Sequence, residues 1–318
     1  MNNFREKFQS LKNQQNGYDK EHKSFDEQLE ILNTRGLIIS NDEYVLTKLQ
    51  HINYYRLSAY FLPLQYKKNS ANKNQFLPNT TFENVIKLYY FDTELRKIVF
   101  EAIEGIEIYF RTQIAYCHAQ QYKPYGYLDK ENFKTNQEFY NKIIDTLKDE
   151  TGRSKEEFIP HFEAKYKTTD LPIWTLVEVI SFGTLSKIYT ILKTEEQKNV
   201  THKLKGINNT VFKNWLHSLS VVRNICAHHS RLWNKTLGVK FEVPNKIESF
   251  RKIKDENNKY LNDKVFFTLS VIQYLLSCIG EDEIDFKSKI KRLLGTYPDI
   301  DIKAMGFVDD WEELEVWR

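Results

Sequence analysis

Backbone breakers are scarce in this chain. Glycine and proline number 11 and 7 among 318 residues, about half of their usual combined share of roughly 12%. A sandwich, a barrel or an α/β fold spends such residues at every reversal, so their scarcity argues against all three and favours long helices. Cysteine is scarce too. Cys117, Cys226 and Cys278 are odd in number and widely spaced, which excludes a disulfide framework and fits a reducing compartment. No run of 18 apolar residues occurs, and the most apolar stretch, VFFTLSVIQYLLSCIG over 265–280, carries Thr, Ser and Gln; a membrane span is not expected. The N-terminal MNNFREKFQSLKNQQNGYDK lacks the apolar core of a signal peptide. The expectation is a soluble, cytoplasmic protein with no membrane partner. Net charge is small as well, +3 from 46 basic and 43 acidic residues, and excludes nothing by itself. What is abundant is bulk: 14% of residues are aromatic and 41% hydrophobic, enough to bury a core and too many for disorder.

The periodicities are helical. Ser24-Phe25-Asp26-Glu27 fits a capping box and opens a helix that ends near Gly36. A second helix is expected over 42–60, and the polar run 66–75 reads as a loop. Thr80-Thr81-Phe82-Glu83 offers another box at the head of 82–120. There Leu88, Leu95, Val99, Ala102, Ile106, Tyr109 and Gln113 recur every three or four residues, giving one very long helix or two broken near Gly105. A further helix lies within 129–157. Asp170, as a cap, and Pro172, in the first turn, open a helix to about Ser181, with a bend allowed at Gly183. Helices are also expected from Asn209 or Thr210 to about Ser230, over 262–279 with Gly280 as stop, and over 284–294. The fold class is all-α. Its parts are a polar N-terminal segment (1–23, loosely ordered or a frayed helix), a helical satellite (24–75), a helical core (76–295) and an acidic C-terminal tail (296–318).

Chemistry concentrates in VVRNICAHHSRLWN, residues 221–234. At 100° per residue, Trp215, Leu216, Leu219, Val222 and Cys226 share a face that belongs to the core. Asn224, His228 and Arg231 fall within about 60° of each other on the opposite side, and Arg223 lies between, able to reach round the flank. A permanently charged, planar guanidinium can hold phosphate oxygens in two-point contact. An imidazole near it can move a proton to or from a ribose hydroxyl. The spacing alone is weak, since Arg111 and His118 meet the same loose pattern; a hydrated helix face would look alike.

The wording around the pair is more specific. RNICAHHSRLWN resembles the signature of the Abi-like family of bacterial abortive-infection proteins (AbiD/AbiF type), within the HEPN superfamily. So do RGLIIS (35–40), INYYRLSAYFLP (52–63), FDTELRKIVFEAIEGIEIYFRTQIAY (91–116), LPIWTLVEVISFGTLSKIY (171–189) and YPDIDIKAMGFVDDW (297–311). The resemblance spans nearly the whole chain. It implies a HEPN-like helical bundle that forms a homodimer, with the motifs of two subunits meeting in one cleft. The implied activity is a metal-independent, cofactor-free endoribonuclease of phage-defence or toxin type. In it the ribose 2′-hydroxyl attacks the adjacent phosphate, leaving a 2′,3′-cyclic phosphate. Carried over, His228 handles the proton, Arg223 binds phosphate and Asn224 orients one of them or the RNA; His229 is the second choice for the histidine. Arg111 and Glu107 would support the active helix from behind, and a regulatory RNA or antitoxin would restrain it.

The charge distribution agrees with an RNA partner. Residues 185–240 hold ten Lys or Arg, among them Arg231 and Lys235 as RNA contacts, against Glu195 and Glu196, while 296–318 is acidic. Other groups read as structural. Asp92–Arg96 and Glu107–Arg111 are i,i+4 pairs, Glu178 is a partly buried carboxylate seeking a base, and Tyr54, Tyr55 and Tyr60 are packing residues more readily than base-stacking ones. Cys226-x-x-His229 lacks a second ligand pair, so no metal is expected. The competing readings are a non-catalytic RNA-binding or phage-sensing module and, more remotely, a helical scaffold.

Overall fold

The computed structural model describes residues 21–67 and 69–318; the expectation for the extreme N-terminus, up to residue 20, lies outside them. Among the described residues the chain is all-α, with thirteen α-helices, isolated β-bridges and no strand. It divides into two compact units, Met1–Tyr89 and Tyr90–Arg318.

In the first unit, α1 (Phe25–Thr34) starts at the expected capping box. Ser24 Oγ accepts the Glu27 N–H at 3.2 Å, and Glu27 Oε2 accepts the Ser24 N–H at 2.7 Å. Gly36, at φ +79°, closes it. The single helix expected over 42–60 is two, α2 (Asp42–His51) and α3 (Tyr54–Phe61). Asn53 is the reason: its side chain accepts the Tyr55 N–H at 2.8 Å and so caps a new helix. Leu32, Val45, Leu49, Leu57, Tyr60 and Phe61 are buried here. The long helix α4 (Phe82–Tyr122) begins in this unit, with its box displaced by one residue from the expected Thr80/Glu83. Thr81 donates its N–H to Asn84 Oδ1 (2.8 Å) and Asn84 returns its N–H to Thr81 Oγ1 (3.2 Å). Glu83 accepts from Ser40 Oγ instead.

In the second unit, α4 runs through Gly105 unbroken. That glycine serves a close approach, because a Cβ there would lie 2.5 Å from Ile284 Cδ1. Leu95, Val99, Ala102, Ile106, Phe110 and Ile114 turn the inner face of α4 into the core. The helices that follow are α5 (Gln137–Arg153), α6 (Phe158–Tyr166), α7 (Ile173–Val179), α8 (Phe182–Ile191), α9 (Thr194–Val200), α10 (Asn209–Ala227), α11 (Glu248–Arg251), α12 (Val265–Ile279) and α13 (Phe286–Thr296). Two expectations shift at α7 and α8. The N-cap of α7 is Pro172 rather than Asp170. The bend falls at Ser181 and not at Gly183, because Ser181 Oγ accepts the Thr184 N–H at 3.2 Å and starts α8. α8 packs along α10, and Phe212 of α10 meets Phe110 (4.6 Å between rings) and Tyr189 (4.9 Å). Gly280 stops α12 at φ +78°, as its position suggests. The acidic C-terminal stretch is no loose appendage. It buries Met305, Phe307, Leu314 and Trp317, and Trp317 Nε1 donates to Ser270 Oγ of α12 at 2.9 Å. Among the described residues no helix is long and apolar enough to cross a membrane.

Candidate functional site

Trp215, Leu216, Leu219 and Val222 of α10 are fully buried and Cys226 nearly so, so the stripe read from the sequence does face the core. The helix itself ends sooner than Ser230. His229 donates its N–H to the Cys226 carbonyl and Ser230 to that of Ile225, each at 3.0 Å, with His229 in the left-handed region at φ +55°. This is the Schellman arrangement, in which glycine usually takes the place that His229 occupies. A side chain there costs about 1–2 kcal/mol. One consequence is geometric. Asn224 sits exposed on the last turn, His228 is the C-cap with its ring exposed, and Arg231 lies in the loop beyond instead of on a shared helical face.

Asp92 fixes that loop. Its carboxylate is fully buried, and Oδ1 accepts the N–H groups of Leu232 (3.1 Å) and Trp233 (2.6 Å). It is also ion-paired with Arg96, which donates to Thr93 Oγ1 at 3.0 Å. The sequence marks the pair only as an i,i+4 couple; its role in ordering the segment after the histidines is a tertiary fact. One local signal existed, a carboxylate on the inward stripe beside Phe91 and Leu95, which demands donors from elsewhere. The same buried neighbourhood pushes the Cys226 thiol up to about 12, chiefly by desolvation, with Arg96 opposing and Asp92 adding to the rise.

Arg223 projects from α10 onto α4. Its Nε lies 3.7 Å from Glu107 Oε2, and its guanidinium carbon lies 5.4 Å from the centre of the Phe100 ring. Glu107 is buried and ion-paired with Arg111, whose guanidinium also donates to the Val177 carbonyl at the end of α7. Neither contact of Arg223 is a hydrogen bond. Its side chain is 38% exposed, and its N–H donors are therefore oriented but available. One carboxylate between two arginines leaves a net charge of +1, which suits an anion. The structure thus brings Arg223, Glu107 and Arg111 into one network, and sequence adjacency keeps Asn224 and His228 within about one and a half turns of Arg223. Lys235 is half-buried in the turn at 232–235, where its N–H donates to the Leu232 and Trp233 carbonyls. Phe100, the seat of Arg223, had no distinguishing signal in the sequence.

The other candidates separate clearly. His118 is fully buried, with Nδ1 2.8 Å from Glu196 Oε1 and its ring stacked on Phe133, so Arg111…His118 is no second surface pair. Glu178 is exposed rather than partly buried. Tyr60 is buried, Tyr54 accepts from Arg35 at 3.0 Å, and Tyr55 is 85% exposed. Among the described residues no three His, Cys, Asp or Glu side chains are grouped to hold a metal ion.

A family model described as Abi-like protein matches residues 47–234, a span that ends on the last residue of RNICAHHSRLWN. No curated protein and no solved structure matches the chain.

Proposed function

The chain belongs to the Abi-like family, proteins of abortive-infection phage defence, and from that premise we propose that it is a metal-independent endoribonuclease of the HEPN type. The observation that carries the reading is Arg223, a guanidinium held by Glu107 and Phe100 with its N–H donors open, five positions before an exposed His228 at the helix end. In the proposed reaction the ribose 2′-oxygen bonds to the adjacent phosphorus and the bond to the 5′-oxygen breaks. His228 takes the 2′-hydroxyl proton, and a proton returns to the departing 5′-oxygen. The products are a 2′,3′-cyclic phosphate and a 5′-hydroxyl. Arg223 binds the non-bridging oxygens and stabilises the pentavalent transition state, while Asn224 orients the RNA or its neighbours. Arg231, Lys235 and the basic stretch 185–240 draw the phosphate backbone in.

Two such ends meeting in a homodimer would supply a second histidine for the leaving oxygen. Ile108 and Tyr116 of α4 and Trp174 of α7, each at least half-exposed, offer the apolar face for that pairing. Trp174 and Tyr116 flank Val177, whose carbonyl is gripped by Arg111. A second copy seated there would therefore lie next to the Arg223 network.

The test is purified protein with RNA in EDTA, beside Arg223→Ala and His228→Ala. Cleavage leaving cyclic-phosphate ends, slowed about 10²-fold or more by each substitution, is the expected result. Equal rates in all three proteins refute the assignment. Salt-sensitive RNA binding that survives His228→Ala, with no RNA cleaved, would instead mark a non-catalytic binding module.

A further inference from the structure

A cavity of about 670 Å³ opens between α5, α6 and the approach to α7, a volume typical of small-molecule sites. Its floor is apolar, formed by Ile144, Leu147, Ile159 and Leu171. A void of about 10 Å³ behind that floor shares Ile144 and Leu147 with it. The mouth carries Lys148 and Lys155 against Glu156, Glu163 and Asp170. Both lysines are exposed, and their long stems let the ammonium groups swing out to water. Asp170 is different. It is half-buried, and no ion pair among the described residues engages its carboxylate. Its charge adds to the burial that raises the phenol of Tyr127, which donates to the Leu171 carbonyl at 2.8 Å. Asp170 is thus the least exposed charged group of the cavity.

The same cavity is mechanically joined to Arg223. α7 contributes Leu176 to the wall and, one residue on, the Val177 carbonyl that Arg111 grips. Arg111 holds Glu107, and Glu107 holds Arg223. Beside the cavity, α5 is tied to the start of α8, just past the end of α7. Glu150 Oε2 accepts the Ser181 N–H at 2.8 Å, and Oε1 accepts the hydroxyls of Ser181 and Thr184, each at 2.9 Å. An occupant that spread α5 from α7 would turn α7 about that tether and displace the Val177 carbonyl.

We propose that this cavity binds a small amphipathic amine, its apolar body on the Ile144/Leu147/Ile159 floor and its ammonium on Asp170, and that occupancy shifts α7 and thereby resets how Arg223 is held. The inference rests on the ribonuclease reading for its consequence, since it gives that site a ligand-controlled state; the binding itself does not depend on it.

The experiment uses the full chain with phenylbutylamine as probe and phenylbutanol as its uncharged counterpart. Calorimetry should show the amine binding about tenfold more tightly than the alcohol, as expected for a charge-assisted contact. Asp170→Asn should erase that difference. Gly152→Trp should abolish binding of both: Gly152 lines the cavity, a Cβ there meets nothing within 4 Å, and the indole fills the space. An unchanged thermal melt confirms that this variant is folded. In NMR the amine should move the Trp174 side-chain resonance on α7 and the Arg223 Nε–H resonance, assigned with Trp174→Phe and Arg223→Lys. No binding, equal binding of amine and alcohol, or binding retained in folded Gly152→Trp overturns the site. Binding with unmoved Trp174 and Arg223 resonances overturns the coupling. No measurement here contains RNA, so failed cleavage sinks only the ribonuclease reading, and failed binding beside intact cleavage sinks only this inference.

Discussion

Replacing Glu107 by glutamine removes one negative charge from between two arginines and preserves the length of the side chain and an oxygen acceptor. Two effects follow, of different size. Arg111 is buried, and stripping the partner from a buried ion pair costs about 3–5 kcal/mol. The amide oxygen and the Val177 carbonyl still accept from it, which brings the loss to about 2–3 kcal/mol. Against a typical total of about 5–15 kcal/mol, the variant folds but melts earlier. For Arg223, two unit charges 3.7 Å apart attract by about 4–5 kcal/mol at an effective dielectric constant of about 20. Because its side chain is 38% exposed, solvent and salt reduce the useful part to about 1 kcal/mol, or about fivefold in the population of the productive orientation. The local charge meanwhile rises from +1 to +2, which favours RNA. Glu107→Gln should therefore lower kcat about fivefold while KM falls. Urea unfolding gives the first quantity, and cleavage over a range of RNA concentrations, at a temperature where both proteins are folded, gives the second. A raised KM at unchanged kcat refutes the positioning role. A stability change below about 0.5 kcal/mol refutes the buried network.

His229→Gly relieves the left-handed backbone at φ +55°; relief of about 1–2 kcal/mol against about 0.5–1 kcal/mol of added chain entropy leaves stability equal or slightly higher. Cleavage should persist in that variant with His228 as the proton carrier, and its loss would transfer the role to His229. The Cys226 thiol, pushed up to about 12 by burial from an ordinary 9.0, keeps its proton in the folded state where the unfolded chain has released it. Stability should accordingly decline as pH rises through that window. At pH near 8 a thiol reagent should label the half-exposed Cys117 and Cys278 well before Cys226; early labelling of Cys226, read by peptide mass spectrometry, contradicts its burial. Tyr116→Glu and Trp174→Glu should convert a dimer to a monomer in light scattering, and an unchanged mass removes that face from consideration.

Features built from neighbouring residues were legible in advance. The Ser24/Glu27 box, the Gly280 stop and the buried stripe of α10 need only partners three to eight positions away, so spacing reveals them. Membership of the Abi-like family was legible in the same way, through strings such as RNICAHHSRLWN that lie within the matched span. Three local signals misled because a competing side chain nearby won. Asn53 caps α3 and splits a long periodic run, Asn84 displaces Glu83 in the α4 box, and Ser181 sets the bend that Gly183 seemed to offer. Helical spacing puts Arg231 on a face that does not exist, because no glycine marks the stop after Ala227; a histidine takes the left-handed position instead.

By itself, the sequence determined the helical class, the inward face of α10 and which polar groups stand at its end. Those follow from a period of about 3.6 residues and from hydrogen bonds that close within one or two turns. Only the tertiary structure decided what those groups touch. Asp92 reaches Leu232 across 140 residues, Phe100 and Glu107 seat Arg223, and Trp317 of an acidic stretch ends fully buried against Ser270. Ion pairs and buried donors are chosen by distances of a few ångströms that arise only after packing, and those distances leave no period in the chain.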